Sequence, residues 1–414
     1  MSTLIVKVDD PAYGGFFIGR HEGKIVMISG AVLPGETVKV KLEEERRDYI
    51  KAAVIEILEP SPLRIEPACK YFGSCGGCQL QHIPYEMQIR LKENILRDCL
   101  KRQAKTEAKL SEPIIDSNPW NYRLRGQFKV SHGAIGFYRE KTRAIVDIDN
   151  CPLMTKDINE YLEKSRNILK DTDIKELHIT TGEDSATALI KSDLVAKSLS
   201  GIQQLASIFL SLGFSGLCIE TRDKKILCFG EKYVTLKLFG NQRYSISPMT
   251  FFQSHWRLNN TVIEFIKNCL QPLRNKKILD MYSGAGNFSI PLATDADVTG
   301  VEGNPYAIAD GDRNLKINNI KNCRFINSSA ENFQIKEKFD IVILDPPRAG
   351  ITNRFMEMIF SLSPDKIVYV SCNPSTLSRD LKKLLSIYHL ESLRMVDFFP
   401  QTSHIESLAY LKIR

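Results

Sequence analysis

A cysteine and an aspartate stand where two predicted strands end. Cys372 follows the β-branched run Lys366-Ile-Val-Tyr-Val-Ser371, and Asp345 closes a second run, Ile343-Leu-Asp-Pro-Pro-Arg-Ala-Gly350. Ligands of open α/β sheets bind at the carboxyl ends of the strands, so both side chains are expected at one cleft. A free cysteine is often simply a core residue. Cys372 is therefore either such a residue or a catalytic nucleophile.

A glycine-containing turn follows a third predicted strand. Gly284 and Gly286 lie in Lys277-Ile-Leu-Asp-Met-Tyr-Ser-Gly-Ala-Gly-Asn-Phe-Ser289, where they permit a tight turn and a close approach of the backbone to a ligand. The next strand, Asp297-Val-Thr-Gly-Val-Glu302, ends on a carboxylate suited to ribose hydroxyls. The third glycine of GxGxxG is absent. This disfavours a dinucleotide and favours a nucleoside ligand such as S-adenosylmethionine.

Three segments must position these residues. We predict an OB-like β-barrel over residues 1–62, an α+β central domain over 63–245, and an α/β Rossmann-like domain over 246–414. The barrel is predicted from short alternating stretches between glycines, Ile25 to Ile28, Glu36 to Leu42 and Lys51 to Ile57. Its basic residues either track phosphates or form a charged surface with the neighbouring Glu43-Glu-Glu45. They are Arg20, Lys39, Lys41, Arg46 and Arg47.

Four cysteines are spaced as metal ligands. Cys75 and Cys78 are separated by two residues, Cys69 precedes them, and Cys151 is followed by a proline. Two thiolates at this spacing can hold one ion or one edge of a cluster, and Gly73, Gly76 and Gly77 let the loop fold around it. A zinc site and an iron–sulfur cluster both remain open. Apart from Cys372, the remaining cysteines are interpreted as structural: Cys99, Cys218, Cys228, Cys269 and Cys323.

The middle of the chain carries a helix followed by strands with turns. The helix is predicted from about Tyr85 to Lys101. The stretch Trp120-Asn-Tyr-Arg-Leu-Arg-Gly-Gln-Phe-Lys129 alternates large and charged side chains, which fits either an RNA-binding face or an amphipathic edge strand. A hairpin is expected at His132-Gly-Ala-Ile-Gly-Phe-Tyr-Arg139.

Composition permits a nucleic-acid partner and disfavours export or membrane insertion. The 414 residues carry a net charge of +7, a mild excess that suits a polyanion. Leu4 to Val8 is too short for a signal peptide and is interrupted by Lys7. No apolar run approaches the length of a membrane span. Ten cysteines at irregular spacing indicate a reducing compartment, so we expect a cytoplasmic protein.

Three strings carry a specific resemblance to a known family. They are Asp345-Pro-Pro-Arg-Ala-Gly350, Tyr369-Val-Ser-Cys-Asn-Pro-Ser-Thr376 and Asp397-Phe-Phe-Pro-Gln-Thr-Ser-His-Ile-Glu406. In order and spacing they are similar to the paired signatures of the RNA uracil-5 methyltransferases. The amino-terminal part resembles the TRAM domain and iron–sulfur segment of the ribosomal-RNA branch. The resemblance therefore implies a TRAM barrel, a central iron–sulfur domain and a class I methyltransferase domain.

This resemblance implies a mechanism with Cys372 as nucleophile. Uracil C5 is a weak nucleophile, but a thiolate that adds to C6 makes C5 enolate-like. A free thiol has a pKa of about 8.5, so the site must stabilise the thiolate or remove the proton during attack. After methyl transfer a base must remove the surplus C5 proton. Glu406 matches the family's base, and His404 is the nearby rival.

The same resemblance assigns ligands to named side chains. It implies a [4Fe-4S] cluster on Cys69, Cys75, Cys78 and Cys151. It implies S-adenosylmethionine at Gln253, Tyr282, Asn287, Glu302 and Asp345, together with the turn glycines Gly284 and Gly286. Amino-methylating enzymes have an aromatic residue after their (D/N)PP motif. Arg348 stands there in this chain, which disfavours methylation of an exocyclic amine.

Together these observations predict a monomeric, S-adenosylmethionine-dependent enzyme that forms 5-methyluridine in 23S rRNA. The same reaction on tRNA remains open, because relatives with these modules differ in target. A non-catalytic RNA-binding iron–sulfur protein is expected to lack the nucleophile, the base or the glycine turn, and all three are present. The CxxxCxxC spacing of radical S-adenosylmethionine enzymes is absent.

Overall fold

The amino-terminal segment folds as a closed barrel. The computed structural model describes residues 2–169, 172–195, 199–334 and 337–414. The barrel strands are β1 (Thr3–Ala12), β2 (Phe16–His21), β3 (Lys24–Ser29), β4 (Thr37–Glu45) and β5 (Tyr49–Glu59). They follow the order β1-β2-β3-β5-β4, and β4 pairs with β1 to close the barrel. Val26, Ile28 and Val38 are fully buried inside it. The predicted barrel is therefore confirmed.

A single helix joins the barrel to the carboxyl-terminal core. Helix α1 (Tyr85–Cys99) continues into a π-helical turn over Leu100–Ala104. The helix predicted from about Tyr85 to Lys101 is therefore confirmed. Leu91 packs with the barrel core. Ile89 and Leu96 pack with the core of the last domain instead. Thus α1 buries two faces against two different parts of the molecule.

The central sheet has seven strands in the order β12-β11-β10-β9-β6-β7-β8. Its elements are β6 (Arg125–Ser131), β7 (Ala134–Tyr138), β8 (Ile145–Asp147), α2 (Lys156–Leu169), β9 (Ile174–Thr181), β10 (Ala186–Ser192), α3 (Leu199–Ser211), β11 (Gly216–Glu220) and β12 (Ile226–Gly230). Helices α2 and α3 share one core with the sheet. Strand β6 pairs with both β7 and β9, so it is an interior strand and the edge-strand interpretation is wrong.

Two expectations about this sheet have different outcomes. The hairpin at His132 is confirmed, because β6 and β7 are joined by His132 and Gly133, both with the positive φ that a two-residue hairpin turn requires. Cys218 and Cys228, by contrast, form a disulfide. They stand directly opposite each other on antiparallel β11 and β12. They were interpreted only as structural cysteines, and their pairing was not predicted, because sequence spacing does not reveal strand register.

The carboxyl-terminal domain is an open sheet with helices on both faces. Its elements are β13 (Val234–Leu238), β14 (Gln242–Ile246), α4 (Trp256–Leu270), β15 (Lys277–Met281), α5 (Ser289–Leu292), β16 (Asp297–Glu302), α6 (Pro305–Ile317), β17 (Cys323–Asn327), β18 (Ile341–Leu344), α7 (Asn353–Leu362), β19 (Lys366–Ser371), α8 (Pro374–Leu384), β20 (Tyr388–Val396) and β21 (Glu406–Ile413). The sheet order is β17-β16-β15-β18-β19-β21-β20, and β13 and β14 form a separate ribbon.

The order of this sheet explains where its ligands can bind. Strands β15 to β19 are parallel, and β21 runs antiparallel beside β19. The chain goes from β15 to β16 and β17 on one side, and then crosses to β18 and β19 on the other. Such a reversal leaves a crevice at the carboxyl ends of the central strands. Strand β18 is buried along its whole length, as expected for a parallel strand covered on both faces.

None of the helices in the described ranges combines the length and apolar character needed to cross a lipid bilayer.

Candidate active site

A cavity of about 420 Å³ lies at the carboxyl ends of β15, β16, β18 and β19. We call it the strand-end cavity. Its volume falls in the range of small-molecule sites. Seven of the nine residues predicted for catalysis and cofactor binding line it: Gln253, Tyr282, Gly284, Glu302, Asp345, Cys372 and Glu406. The structure thus brings together residues from six separate stretches of sequence.

The glycine turn and the acidic end of β16 form one unit. The backbone amides of Gly284 and Asn304 donate to Oε2 and Oε1 of Glu302, at 3.1 and 2.7 Å. Gly284 has a φ of +54°, and a Cβ built on it would meet no atom within 4 Å. The turn therefore leaves open space beside a carboxylate. Because a carboxylate accepts about four hydrogen bonds, Glu302 can still accept from a ligand hydroxyl.

Gly286 and Asn287 stand behind the turn, outside the residues that line the cavity. A Cβ on Gly286 would lie 2.7 Å from the ring of Phe325 and 2.9 Å from Ile290. Asn287 exchanges two side-chain hydrogen bonds with Asn259 of α4, at 2.8 and 3.0 Å. The contacts of both residues are thus with the protein, and they hold the turn in place.

The loop that carries Cys372 is fixed to the segment that carries Asp345. The Asn373 side chain caps α8 by accepting from the amides of Ser375 and Thr376. Its Nδ2 also donates to the carbonyl of Arg348 at 3.0 Å. The Thr376 hydroxyl donates to the same carbonyl at 3.3 Å. The loop after β18 and the segment after β19 are therefore joined by hydrogen bonds beside the thiol.

Burial and like charges dominate the electrostatics of the cavity. Burial, followed by Glu406 and Asp345, raises the pKa of the Cys372 thiol to about 11, while Arg348 opposes the shift. Burial and then Glu302 raise the pKa of Asp345 to about 7. The pKa of Glu406 is raised well above its usual value by burial and then by Asp345. Around neutral pH the cavity therefore holds Cys372 as the neutral thiol, and the shift of the Glu406 pKa favours its protonated form.

His404 occupies a different position from Glu406. It is not among the residues that line the strand-end cavity. Its Nδ1 lies 3.3 Å from Nη2 of Arg348. Desolvation and then the charge of Arg348 lower the pKa of His404 to about 4. Of the two candidate bases, only Glu406 reaches the cavity.

A second pocket contains the four predicted metal-ligating cysteines. Cys69, Cys75, Cys78 and Cys151 all line it, and its other walls include aromatic and aliphatic side chains. We call it the cysteine pocket. Burial raises the pKa of the Cys78 thiol to about 12. Among the residues that the structure describes, no three His, Cys, Asp or Glu side chains are grouped so as to hold a metal ion.

The cysteine pocket is closed by backbone pairing. Cys75 forms an antiparallel bridge with Arg139, and the amide of Gly76 donates to the carbonyl of Tyr138 at 3.0 Å. A Cβ on Gly76 would come within 2.9 Å of that carbonyl oxygen, so this glycine permits the close approach. The loop is thereby joined to the hairpin of β6 and β7.

Two known protein families match consecutive parts of the chain. The sequence model of the TRAM domain matches residues 2–55, which form the barrel. The model of the tRNA (uracil-5-)-methyltransferase family matches residues 84–414. The chain belongs to the tRNA (uracil-5-)-methyltransferase family. The resemblance inferred from the three strings is confirmed, and the chain is an S-adenosylmethionine-dependent RNA uracil-5 methyltransferase.

Relatives of this methyltransferase match it over nearly its whole length. An uncharacterized RNA methyltransferase of Aquifex aeolicus is 36% identical over 99% of both chains. The 23S rRNA (uracil(1939)-C(5))-methyltransferase of Shewanella amazonensis is 31% identical, over 99% of this chain and 96% of that enzyme. The crystal structure of Pyrococcus abyssi tRNA (uracil-54, C5)-methyltransferase with S-adenosyl-L-homocysteine has a TM-score of 0.78, at 26% identity, over 98% and 99% of the two chains.

Two aromatic residues near the methyltransferase site were not predicted from sequence. Phe251 lines the strand-end cavity with 70% of its surface exposed. Tyr13, just after β1, is 37% exposed; burial raises its pKa, Arg348 opposes the shift, and Cys372 and Glu406 add to it. Gly15 lies two residues after it, and a Cβ on Gly15 would lie 3.1 Å from the hydroxyl of Ser403. The barrel therefore reaches the active site, which no local sequence pattern indicates.

A larger cavity, of about 590 Å³, lies between the β13–β14 ribbon and α4. Trp256 and Arg257 line it, and none of the predicted site residues does. Size alone therefore does not identify the site of this methyltransferase, and the position of the titratable side chains does.

Proposed function

We propose that this methyltransferase forms 5-methyluridine in 23S rRNA, with Cys372 as nucleophile and Glu406 as base. The observation that carries the proposal is the meeting of Cys372, Glu406 and Asp345 in one cavity with an open glycine turn. A thiol, a buried carboxyl group and a nucleoside-sized recess are the parts that methylation of uracil C5 requires.

In the proposed reaction the Cys372 sulfur bonds to C6 of uracil, and the electrons of the C5–C6 double bond move toward C5. Bound S-adenosylmethionine would supply the methyl group to C5 by breaking its sulfonium–methyl bond, and it would leave as S-adenosylhomocysteine. Glu406 removes the surplus proton from C5, the double bond re-forms, and the bond between sulfur and C6 breaks. Asp345 and Gln253 line the same cavity and are placed to orient the reactants.

Protonation constrains the order of these steps. With a pKa of about 11, the Cys372 thiol is neutral in the empty site and must release its proton to solvent before or as it attacks. Glu406 must be ionised before it can accept the C5 proton. Arg348 favours the ionised form of both groups. We therefore propose that Arg348 supports the charged species that arise during turnover.

The S-adenosylmethionine site is proposed at the turn between β15 and α5. The residues fit a nucleoside, because Gly284 leaves open space and Glu302 keeps acceptor capacity. Tyr282 has a φ of +63° and directs the chain into the turn. Asn287 and Gly286 contribute by supporting this turn through their contacts with α4 and β17.

For the RNA target, 23S rRNA is our proposal and tRNA is the second candidate. The Shewanella rRNA enzyme aligns with nearly the whole chain, which supports rRNA. The Pyrococcus tRNA enzyme also aligns over 98% of the chain, which supports tRNA as the second candidate. Mapping 5-methyluridine in both RNA classes from cells with and without this protein distinguishes them. A missing mark in tRNA and not in rRNA would contradict the rRNA assignment.

The barrel is proposed as an RNA-binding module of residues 1–62, beside a central domain of residues 63–245 and a methyltransferase domain of residues 246–414. Its position supports this, because Tyr13 and Gly15 lie next to the catalytic segment. Arg46 is paired with Glu44 at 2.6 Å, so the phosphate contacts are proposed for other residues. They are Arg20, Lys39, Lys41 and Arg47.

We also propose that the cysteine pocket holds a [4Fe-4S] cluster. Four thiol ligands in one apolar pocket support this, since each iron of such a cluster takes one thiolate. Cys69, Cys75 and Cys78 would bind it from the loop and Cys151 from the segment after β8. The cluster would cross-link these two segments, and it takes no part in the proposed chemistry. Zinc is the alternative occupant.

The nucleophile and the base are separated by one experiment. With labelled RNA and S-adenosylmethionine, Glu406→Gln should accumulate a protein–RNA band that carries the new methyl group, because attack and transfer precede proton removal. Cys372→Ser should form no adduct and no product, because a neutral hydroxyl is a poor substitute for a thiolate. Rapid turnover by Glu406→Gln would transfer the base role elsewhere. A methylated adduct of Cys372→Ser would overturn the mechanism.

A further inference from the structure

The loop of residues 397–405 joins β20 to β21 and leads directly into Glu406. We call it the base loop. Glu406 pairs with Val396 at the start of β21, and Ser407 pairs with Ser371 next to Cys372. The residues after Glu406 are thus fixed by the sheet, whereas the residues before Glu406 are fixed by the contacts that the base loop makes with other segments.

Helix α1 holds the beginning of the base loop. Lys92 Nζ lies 2.6 Å from Oδ1 of Asp397 and 3.0 Å from the carbonyl oxygen of Phe399. The Tyr85 hydroxyl donates to the other oxygen of Asp397 at 2.9 Å. Lys92 and Asp397 are each only 1% exposed. A buried charge pair with additional hydrogen bonds permits little movement.

The loop of residues 69–80 carries Cys69, Cys75 and Cys78, and we call it the cysteine loop. Together with α1 it holds the middle of the base loop in an uncommon conformation. Gln401 has a φ of +68° and is 3% exposed. Its amide donates to Oε1 of Gln88 at 3.1 Å, and Nε2 of Gln88 lies 2.9 Å from its side-chain oxygen. The amides of Gln79 and Leu80 both donate to its carbonyl, at 3.1 Å. A non-glycine residue stays in this region only when its surroundings fix it.

Gln79 connects the base loop directly to the cysteine pocket. It follows Cys78 in the chain. Its Nε2 donates to the carbonyl of Gly76 at 2.9 Å, and its Oε1 accepts from the amide of Ser403 at 3.2 Å. One side chain therefore bridges the loop between Cys75 and Cys78 and the residues just before Glu406.

We propose that Gln79 and Gln88 are positioning residues for Glu406, through which the cysteine loop controls removal of the C5 proton. This inference rests on the proposed roles of Cys372 and Glu406. Neither glutamine lines the strand-end cavity, so each acts on the base through the base loop. Cys372 is held by a different set of contacts, from Asn373 and Thr376 to Arg348. Loosening the base loop should therefore slow release of the methylated RNA and leave attack by Cys372 intact.

The test measures the two halves of the reaction separately in the full-length protein with RNA and S-adenosylmethionine. Gln79→Ala and Gln88→Leu should lower steady-state turnover by about tenfold or more, and should form the covalent adduct at a first-turnover rate within about threefold of the wild type. The methylated adduct should therefore accumulate, as in Glu406→Gln. Gln79→Glu keeps an acceptor for the Ser403 amide and should recover part of the turnover.

The matched control is Gln242→Ala. Gln242 is also partly buried and also donates to a backbone carbonyl of another segment, that of Ile290, at 3.1 Å. It should change neither rate. An equal loss of adduct formation and turnover in Gln79→Ala would mean a general structural role and would overturn the proposal. So would unchanged turnover. If Glu406→Gln itself forms no adduct, the proposed function fails. If Glu406→Gln forms the adduct and Gln79→Ala does not, only this inference fails.

Discussion

The strand-end cavity and the cysteine pocket are built in opposite ways. The cavity is formed where parallel strands end, and Met281, Val301 and Leu344 at these strand ends are buried in the core of the last domain. The cysteine pocket is formed by loops, and its closure depends on the bridge between Cys75 and Arg139 and on a few backbone hydrogen bonds. A rigid scaffold can hold unfavourable charges close together, and a loop site needs a ligand to hold it.

The same physical effect has different consequences in the two sites. Burial raises the pKa values of Cys372 in the cavity and of Cys78 in the pocket. In the cavity, Glu406 and Asp345 raise the pKa of Cys372 further, because the negative charge of each ionised carboxyl group repels a thiolate. In the pocket a bound metal would supply positive charge and stabilise the thiolates. The cavity should therefore be stable when empty, and the pocket should depend on its occupant.

Replacing one cysteine of the pocket should give the largest effect. Anaerobically purified protein should contain about four irons per chain and absorb broadly near roughly 400 nm, as four thiolate ligands imply. Cys78→Ser should lose this iron and unfold at a lower temperature, because the occupant ties the loop to the segment at Cys151. Iron analysis and thermal unfolding measure both.

Cys269→Ser is the control for this experiment, since Cys269 is also partly exposed and lies outside the pocket. It should keep its iron. Stoichiometric zinc in the wild type, without iron, would contradict the cluster and leave a four-thiolate zinc site.

The pH dependence of the first chemical step tests the electrostatics of the cavity. The pKa of Cys372 is raised to about 11, so the thiolate fraction grows as pH rises through the neutral range. Adduct formation in a single turnover should increase about tenfold per pH unit, and about a hundredfold from pH 7 to 9. The wild-type protein is the background for this measurement, because Glu406→Gln would remove one of the causes that raise the thiol pKa. A flat profile would mean that bound RNA or S-adenosylmethionine lowers the thiol pKa.

The smallest expected effect is on stability. The pKa of Asp345 rises from about 3.8 in the unfolded chain to about 7 in the fold, so its burial costs nothing at pH 4 and progressively destabilises the fold as pH rises to 7. Asp345→Asn should therefore unfold at the same temperature as wild type at pH 4 and roughly 5 °C higher at pH 8. The exposed Asp312→Asn should change little at either pH. A lower melting temperature at pH 8 would contradict the sign.

The scaffold of the active site was largely predictable from sequence, because strand ends are local features. The strand that ends at Ser371 and the turn at Gly284 can both be located from the residues that form them. The exposure of Phe251 and the contacts of Gly286 with Phe325 were not predictable. They depend on which segments meet after folding, and residue type and spacing do not specify this.

The contacts of the base loop show the same limit more strongly. Gln401 carries no glycine-like signal for its positive φ, which exists because Gln88 and the Gln79 amide hold it. The disulfide between Cys218 and Cys228 likewise follows from strand register. Both features depend on tertiary pairing, and one sequence without its fold does not reveal them.

The pairing of Lys92 with Asp397 has a consequence for synthesis on the ribosome. The two residues are 305 positions apart, so at about 5–20 residues per second Lys92 emerges roughly 15–60 s before its partner. Until then its ammonium group must remain hydrated, and α1 cannot settle between the barrel and the last domain. A nascent chain of this methyltransferase should therefore stay incompetent for RNA modification until its final strands have been made.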